Sequence, residues 1–230
     1  MNAYEKNVFD MYQSCQLGNS EKCNLCRKEN PELSKPISIW HVGEQYTESE
    51  HQVLFVGKVA RGSIEQDADC INGVLDGTGV AEDLYHSVSW PFWSYTKAIA
   101  NELYGENDAW EKIAMTNMVK CNISETTDTT TEMNKKNCAE YLRRELELLC
   151  PKNIIFYTNE RYDNAVTSLF DQIENADYCD VPCGQKQMHL WKFTGRIGEH
   201  VMRAMRAGHP ERMQKADFTS QVIQFIREEE

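Results

Sequence analysis

The sequence predicts an α/β fold, a three-layer sandwich in which helices cover both faces of a central, mostly parallel sheet of about four strands. Four short runs are apolar on both faces, as buried parallel strands are. They are residues 53–56, 113–115, 154–157 and 188–191. Helical patterns separate these runs, and such alternation is typical of a parallel sheet. We expect the ligand crevice beyond the carboxyl ends of the strands, which would bring Gly57, Asn117 and the loop before His209 together.

The predicted helices are better marked than the strands. Thr129 and Glu132 have the spacing of a capping box, and apolar residues then follow at helical spacing until Pro151, which would stop the helix. Further helices are predicted at residues 95–104, at residues 162–173 and from Pro210 to the end. About residues 1–22 form a predicted helical lead-in. No composition break divides the chain, so we expect a single domain over residues 1–230.

Composition limits the function classes. The net charge of −12 argues against a protein coated in cationic surface for non-specific nucleic-acid binding. Residues 192–215 nevertheless carry mostly basic charge, either as a local basic patch or as a solvated helix face. No apolar run approaches the roughly 18 residues of a membrane span, and residues 1–10 lack a signal-peptide core. We therefore expect a cytoplasmic protein that does not contact membranes, and a monomer by default.

The chain holds nine cysteines, and in a reducing compartment a close pair favours metal binding over a disulfide. Cys23 and Cys26 form a CxxC pair, which can direct both thiolates at one metal from a single turn. Cys121 and Cys138 come later, at element ends near the expected crevice. Four thiolates could hold zinc or a [4Fe–4S] cluster. The spacing does not choose between these cofactors, and Cys121 and Cys138 could instead be small buried apolar residues.

Several motifs follow one another along the chain. They are CNLC at 23–26, VLFVGKVARG at 53–62, SWPF at 89–92, TNMVKC at 116–121 and HPE at 209–211. Their order, with Cys138 after TNMVKC and a leucine-rich helix ending in Pro-Lys, resembles the iron–sulfur branch of the uracil-DNA glycosylase superfamily. The resemblance covers about residues 20–225. TNMVKC with its later cysteine is its most specific part.

The resemblance implies a DNA glycosylase of base-excision repair, which hydrolyses the N-glycosidic bond of a flipped-out uracil or modified pyrimidine. The four cysteines would hold a structural [4Fe–4S] cluster rather than zinc. Phe92 would stack on the base, and Asn117 would bind its edge. His209 would donate to the base oxygen that gains negative charge. Arg212 would enter the minor groove or hold a phosphate.

The first motif departs from the family pattern. Lys58 follows Gly57 where the family carries a glutamate, and a lysine would neither polarise a water nor stabilise positive charge on the sugar. Glu65 or Asp67 could supply the missing catalytic carboxylate. Alternatively, Asn117 and His209 suffice for a good leaving group, or the protein no longer excises plain uracil.

Three further interpretations stay open. The protein could remove a hypermodified phage base in antiviral defence, an interpretation that the long segment 67–89 favours if it enlarges the pocket rather than forming a surface excursion. It could be a catalytically silent glycosylase-like module that binds DNA or a protein, as Lys58 and the acidic composition suggest. It could also be a zinc-stabilised α/β domain of unrelated function.

Overall fold

The computed structural model describes residues 1–33, 40–61, 70–123 and 127–228. Its helices are α1 (Ala3–Ser14), α2 (Glu21–Glu29), α3 (Cys70–Ser87), α4 (Pro91–Tyr104), α5 (Glu132–Leu149), α6 (Asp163–Thr167) and α7 (Lys215–Arg227). Its strands are β1 (His41–Val42), β2 (Val53–Arg61), β3 (Ala114–Ile123), β4 (Asn153–Phe156), β5 (Gln172–Cys183), β6 (Lys186–Ile197) and β7 (His200–Arg206). Within these ranges, no helix has both the length and the apolar character to cross a lipid bilayer.

The seven strands in the described part of the chain form one mixed sheet in the order β1-β3-β2-β4-β7-β6-β5. Its centre is parallel, since β2 pairs with β3 and β4, and β4 pairs with β7. Its flanks are antiparallel: β1 lies against β3, and β5, β6 and β7 form a meander. The prediction of a mostly parallel sheet of about four strands is therefore wrong.

Besides the two-residue β1, two strands escape the sequence prediction because polar residues mask them. β7 carries Arg206, which is only 3% exposed. Its charge can be buried because it binds the Asp163 carboxylate and donates to the His189 carbonyl. β5 is an edge strand with mostly exposed side chains, so it has no apolar run. The predicted strand at 188–191 lies in β6, which is antiparallel to both neighbours. The fourth parallel strand of the sheet is β7, not β6.

The helix predictions fail at three places. The helix expected at 162–173 is reduced to α6, because β5 already begins at Gln172. The segment 67–89, for which the sequence suggests a long excursion, contains α3. The capping box of α5 is formed by Thr131 and Asn134 rather than by Thr129 and Glu132. Thr131 is the capping residue because its Oγ1 accepts from the Asn134 backbone N–H at 3.2 Å. In return, Asn134 Oδ1 accepts from the Thr131 backbone N–H at 3.0 Å.

Alternate residues of the central strands face two separate apolar cores. Leu54 and Val56 of β2 contribute to a core that includes buried residues of α1, α2 and α5. Val53 and Phe55 contribute to a second core, with buried residues of α4 and α7. This follows from the two-residue period of a strand, which turns successive side chains to opposite faces.

A buried polar network joins α1, β3 and α5 in the first core. Lys120 Nζ lies 2.5 Å from Glu145 Oε1 and donates to Thr116 Oγ1 at 2.7 Å. Tyr12 donates to the same Glu145 oxygen at 2.6 Å. Burial lowers the pKa of Lys120, and the Glu145 carboxylate opposes that shift. Through Thr116 and Lys120, the network ties β3 to α5, which covers the same face of the sheet.

Candidate functional site

A cavity of about 420 Å³ lies where the central strands end unevenly. β4 and β7 end at Phe156 and Arg206, whereas β2 and β3 stay paired as far as Arg61 and Ile123. The cavity is bounded by this extension of β2 and β3, by the start of α4 and by the loops after β3 and β7. Its chemically important lining residues are Gly57, Lys58, Phe92, Asn117, Asp128 and His209.

Gly57 makes room for the two side chains that would contact a ligand. A Cβ atom at this position would stand 2.4 Å from Asn117 Oδ1 and 3.1 Å from Phe92 Cε2. Asn117 is the register partner of Gly57 on β3, and it is 7% exposed. It therefore lies inside a strand, not at the strand end that the sequence suggests. The missing side chain lets the amide lean across β2 towards the Phe92 ring.

Phe92 is positioned by the first turn of α4. Pro91 occupies the first helical turn, where its missing N–H has no intrahelical partner to lose. The Phe92 ring then meets Tyr157 edge to face, with centroids 5.4 Å apart, and Trp93 at 5.0 Å. Tyr157 is fully buried and receives a hydrogen bond from Thr96 at 3.3 Å. Phe92 is thus a half-buried aromatic group on a rigid support.

His209 lies in the turn after β7, which Gly208 opens with a positive φ of 78°. The backbone N–H of Glu211 donates to His209 Nδ1 at 3.2 Å. Because Nδ1 accepts, the proton of the neutral ring is on Nε2. Burial, followed by the charge of Lys58, lowers the pKa of His209 to about 4. The ring is therefore a neutral N–H donor near pH 7.

Asp128 is a cavity residue that the sequence analysis did not single out. Its carboxylate accepts hydrogen bonds from Thr130 Oγ1 at 2.6 Å and from Tyr162 Oη at 2.7 Å. Burial opposes ionisation, but these bonds and the charge of Lys58 outweigh it, so the pKa of Asp128 lies below its usual value. The available signal was an aspartate in the polar loop after β3, at the expected crevice. Its partner Tyr162, 34 residues further on, gave no such signal.

Lys58 is half-buried in the same cavity. Burial lowers the pKa of its amine, and Asp128 is the largest opposing charge. In the part of the chain that the structure describes, Lys58 Nζ makes no hydrogen bond or ion pair. The cavity thus combines an aromatic ring, a side-chain amide, a neutral imidazole, a carboxylate and an amine.

Two predicted site residues are not described by the structure, and a third lies outside the cavity. Glu65 and Asp67 are outside the described residues. Arg212 is exposed, adopts a left-handed φ of 68° and does not line the cavity. Residues 192–215 are not a helix face either, since they span β6, β7 and the loop that follows. Trp90 of the SWPF motif, to which no role was assigned from the sequence, is 57% exposed at the edge of the cavity.

The four candidate ligand cysteines lie on three elements of the first core. Cys23 and Cys26 lie on α2, Cys121 near the end of β3 and Cys138 on α5, and all are buried and free. Burial raises the pKa of Cys121, and the neighbouring Cys138, Cys23 and Cys26 raise it further. The four cysteines therefore lie in the same part of the first core. Among the described residues, no three His, Cys, Asp or Glu side chains are close enough to hold a single metal ion.

Hydrogen-bond donors surround two of these sulfurs. The Gly18 N–H donates to Cys23 Sγ at 3.2 Å, and the Asn137 amide donates to Cys26 Sγ at 3.1 Å. Such donors favour thiolates and influence the potential of a cluster that thiolates hold. Four thiols are a donor set that either zinc or an iron–sulfur cluster accepts.

Comparison with known proteins returns no matching family model and no matching curated protein. Interpretation of the site therefore depends on the order of its motifs and on its own geometry. Four residues named from those motifs, Gly57, Phe92, Asn117 and His209, line one cavity together with Lys58. That grouping is the observation from which a function can be argued.

Proposed function

We propose that the protein is a DNA glycosylase that excises uracil or a modified pyrimidine by hydrolysing its N-glycosidic bond. One observation carries this proposal: Phe92, Asn117 and a neutral His209 line the same cavity. An extruded pyrimidine offers an aromatic face, an edge of donors and acceptors, and a carbonyl oxygen that becomes negative as the base departs. The three side chains match these features one to one.

Base recognition falls to Phe92 and Asn117. The half-buried Phe92 ring can stack on the base, and Tyr157 and Trp93 support it from the side. The Asn117 amide carries both an acceptor and donors, so it can distinguish the edge of one base from that of another. Because Asn117 is only 7% exposed, water competes little for these hydrogen bonds.

Leaving-group stabilisation falls to His209. A donor aimed at a developing oxyanion contributes about 10²–10³ in rate at sites of this kind. The neutral ring is suited to the task, since the Glu211 N–H holds the tautomer in which Nε2 carries the proton. The base can leave as an anion while His209 stays neutral.

The sugar needs a negative charge and a positioned water. Of the described cavity residues, Asp128 and Glu211 are the carboxylates. Asp128 is the better candidate because Thr130 and Tyr162 orient it and keep it ionised. We assign it the role of stabilising positive charge at the sugar and polarising the attacking water. Glu65 and Asp67 remain predictions for the same role.

The proposal includes a [4Fe–4S] cluster on Cys23, Cys26, Cys121 and Cys138. When bound, the cluster supplies cross-links rather than a reaction step. It would join α2 to β3 and α5, and β3 is the strand that carries Asn117. A reducing compartment such as the cytosol would keep these cysteines available as ligands.

An excision panel tests the function. The protein, purified anaerobically, is incubated with single- and double-stranded oligonucleotides that each carry one uracil or one modified pyrimidine, including bulky glucosylated forms. Alkali then cleaves the strand wherever a base has been removed. We expect excision from at least one substrate, slowed about 10²–10³-fold by His209→Ala. The matched control is His200→Ala, which alters an exposed histidine at the start of β7. Absence of product on every substrate, with folded and iron-loaded protein, would overturn the proposal.

Lys58 favours one alternative, a module that binds an altered or abasic nucleotide without cleaving it. Its positive charge lies in the cavity where the resemblance implies a carboxylate. Fluorescence anisotropy separates the two functions. The alternative predicts binding without product and no loss of affinity in His209→Ala.

A further inference from the structure

We propose that Lys58 gives the protein a second activity, in which its amine forms a Schiff base with the abasic sugar that excision leaves and cleaves the DNA strand by β-elimination. The inference rests on the proposed function, because it takes the cavity to receive a nucleotide from DNA. It adds a covalent step on the product of that reaction. It also explains what a lysine could do beside residues suited to base removal.

The position of Lys58 along β2 supports this role. From Val53 to Ala60 the strand is buried except at Lys58, which is half-buried, and Arg61 at the end of the strand is exposed. Lys58 directly follows Gly57, the residue that makes room for Asn117 and Phe92. A base held by those two side chains would have its sugar on the solvent side, since the DNA backbone stays outside the protein. Lys58 lines the cavity and is partly exposed, whereas its neighbours Gly57 and Val59 are buried.

The surroundings of the Lys58 amine differ from those of the fully buried Lys120 and Lys135. Lys120 is held by Glu145, and Lys135 is held by Glu132 and by the Arg161 carbonyl. Within the described residues, Lys58 Nζ has no such partner. Burial lowers the pKa of Lys58, which increases the share of neutral, nucleophilic amine near pH 7. A cavity amine with a lowered pKa reaches its neutral form more readily, and the neutral amine is the form that adds to a carbonyl.

The reaction balances with water as the only co-reactant. The Lys58 ammonium gives up a proton, and the neutral amine adds to the C1′ aldehyde of the ring-opened abasic sugar. The hydroxyl formed in this addition takes up a proton and leaves as water, which gives a protonated imine. A base then removes a C2′ proton, the C–H electron pair forms the C2′–C3′ double bond, and the C3′–O bond breaks as the phosphate leaves with its electron pair. Hydrolysis of the imine returns the lysine and an unsaturated aldehyde. Asp128 and Glu211 line the same cavity and could accept the C2′ proton.

Reductive trapping on preformed abasic DNA tests the inference. The full-length protein is incubated with an oligonucleotide whose abasic site was made chemically, in the presence of cyanoborohydride, which reduces the imine to a stable amine. We expect a covalent protein–DNA complex whose cross-linked peptide contains Lys58. A tetrahydrofuran analogue, which has no aldehyde, should give none.

Two lysine variants show whether the cross-link depends on Lys58. Lys58→Arg keeps the positive charge but cannot form the imine, so trapping and strand cleavage should be lost. Lys152→Arg alters an exposed lysine just before β4, at the end of the parallel strands opposite the cavity. This variant should be cross-linked to abasic DNA like the wild type. Circular dichroism and iron content show whether each variant is folded.

The two proposals fail separately. Intact base excision without trapping, trapping that survives Lys58→Arg, or a cross-link on another lysine would each overturn the Schiff-base inference alone. Lys58-dependent trapping on abasic DNA without excision of any base would support the inference and overturn the proposed excision.

Discussion

Gly57 and Asn117 face each other on adjacent parallel strands so closely that a Cβ atom at residue 57 would stand 2.4 Å from the Asn117 amide oxygen. The atom it would meet is the far end of a side chain, not backbone. The Asn117 side chain could therefore move away from an alanine at residue 57 without a shift of either strand. We propose that the specific function of this glycine is to position the amide.

Gly57→Ala should therefore reduce activity without unfolding the protein. We expect base excision to fall by about 10²-fold, the effect of misplacing a binding group by about 1 Å. The midpoint of urea denaturation should change little. Gly79→Ala is the matched control, because a Cβ atom there meets nothing within 4 Å and alanine favours the α3 helix. Full activity in Gly57→Ala would contradict the assigned role of Asn117.

The pKa of His209 can be measured by NMR titration of its ring. We expect a value of about 4, with burial as the main cause and the Lys58 charge as the next. Lys58→Gln should raise the pKa of His209 but leave it below 6.5, since burial remains. Unfolded chains bind the proton near pH 6.5, so between about 4 and 6.5 the unfolded state holds more protons than the folded state.

The sign of the stability effect follows from that difference. His209 should make the free energy of unfolding rise with pH from about 4 to 6.5 and add no pH dependence above that window. Urea titrations of the wild type and of His209→Gln should therefore diverge as the pH is lowered, with the wild type losing more stability. Parallel curves for the two proteins would contradict the lowered pKa.

The buried Lys120–Glu145 pair should be needed for stability. Glu145→Gln leaves the Lys120 charge without its partner, and we expect a loss of about 3–5 kcal/mol in urea denaturation. Lys120→Met combined with Glu145→Leu should cost much less, since no buried charge remains. The control, Glu140→Gln, lies on the same helix as Glu145 and breaks an exposed pair with Lys22 of α2, so it should cost at most about 1 kcal/mol.

Cysteine variants test the proposed cluster. Replacement of Cys23 or Cys121 by serine should lower the iron and acid-labile sulfide content of the anaerobically purified protein and reduce its stability. Cys183→Ser is the matched control, because Cys183 is also buried and free but lies on β5, with its thiol donating to the Gln214 carbonyl. Stoichiometric zinc without sulfide would contradict the iron–sulfur proposal.

Arg212 allows backbone strain to be separated from side-chain function. Its φ of 68° costs an arginine about 1–2 kcal/mol, so Arg212→Gly should stabilise the loop after His209. If the exposed side chain holds a phosphate, the same change should weaken DNA binding and reduce the dependence of binding on salt by about one phosphate contact. Arg212→Ala should weaken binding equally but without the gain in stability. Unchanged affinity in both variants would remove Arg212 from the DNA-binding surface.

Much of the sheet centre could be predicted because its signals are local. The runs that became β2, β3 and β4 are apolar wherever the strand is covered on both faces, and the sequence displays that directly. β5 and β7 could not be found in this way. The Arg206 charge in β7 is acceptable only because Asp163, 43 residues away, reaches it.

The candidate site, like the sheet, could be predicted from the sequence only in part. The order and chemistry of Gly57, Phe92, Asn117, His209 and the cysteines were visible in the sequence, since each belongs to a short motif. The tertiary structure decided that the first four share a cavity, that Asp128 joins them, and that Arg212 stays outside. Composition and periodicity act over neighbouring residues, whereas a site depends on which distant segments the strand order brings side by side. That order is set by packing of the whole chain, which no single segment specifies.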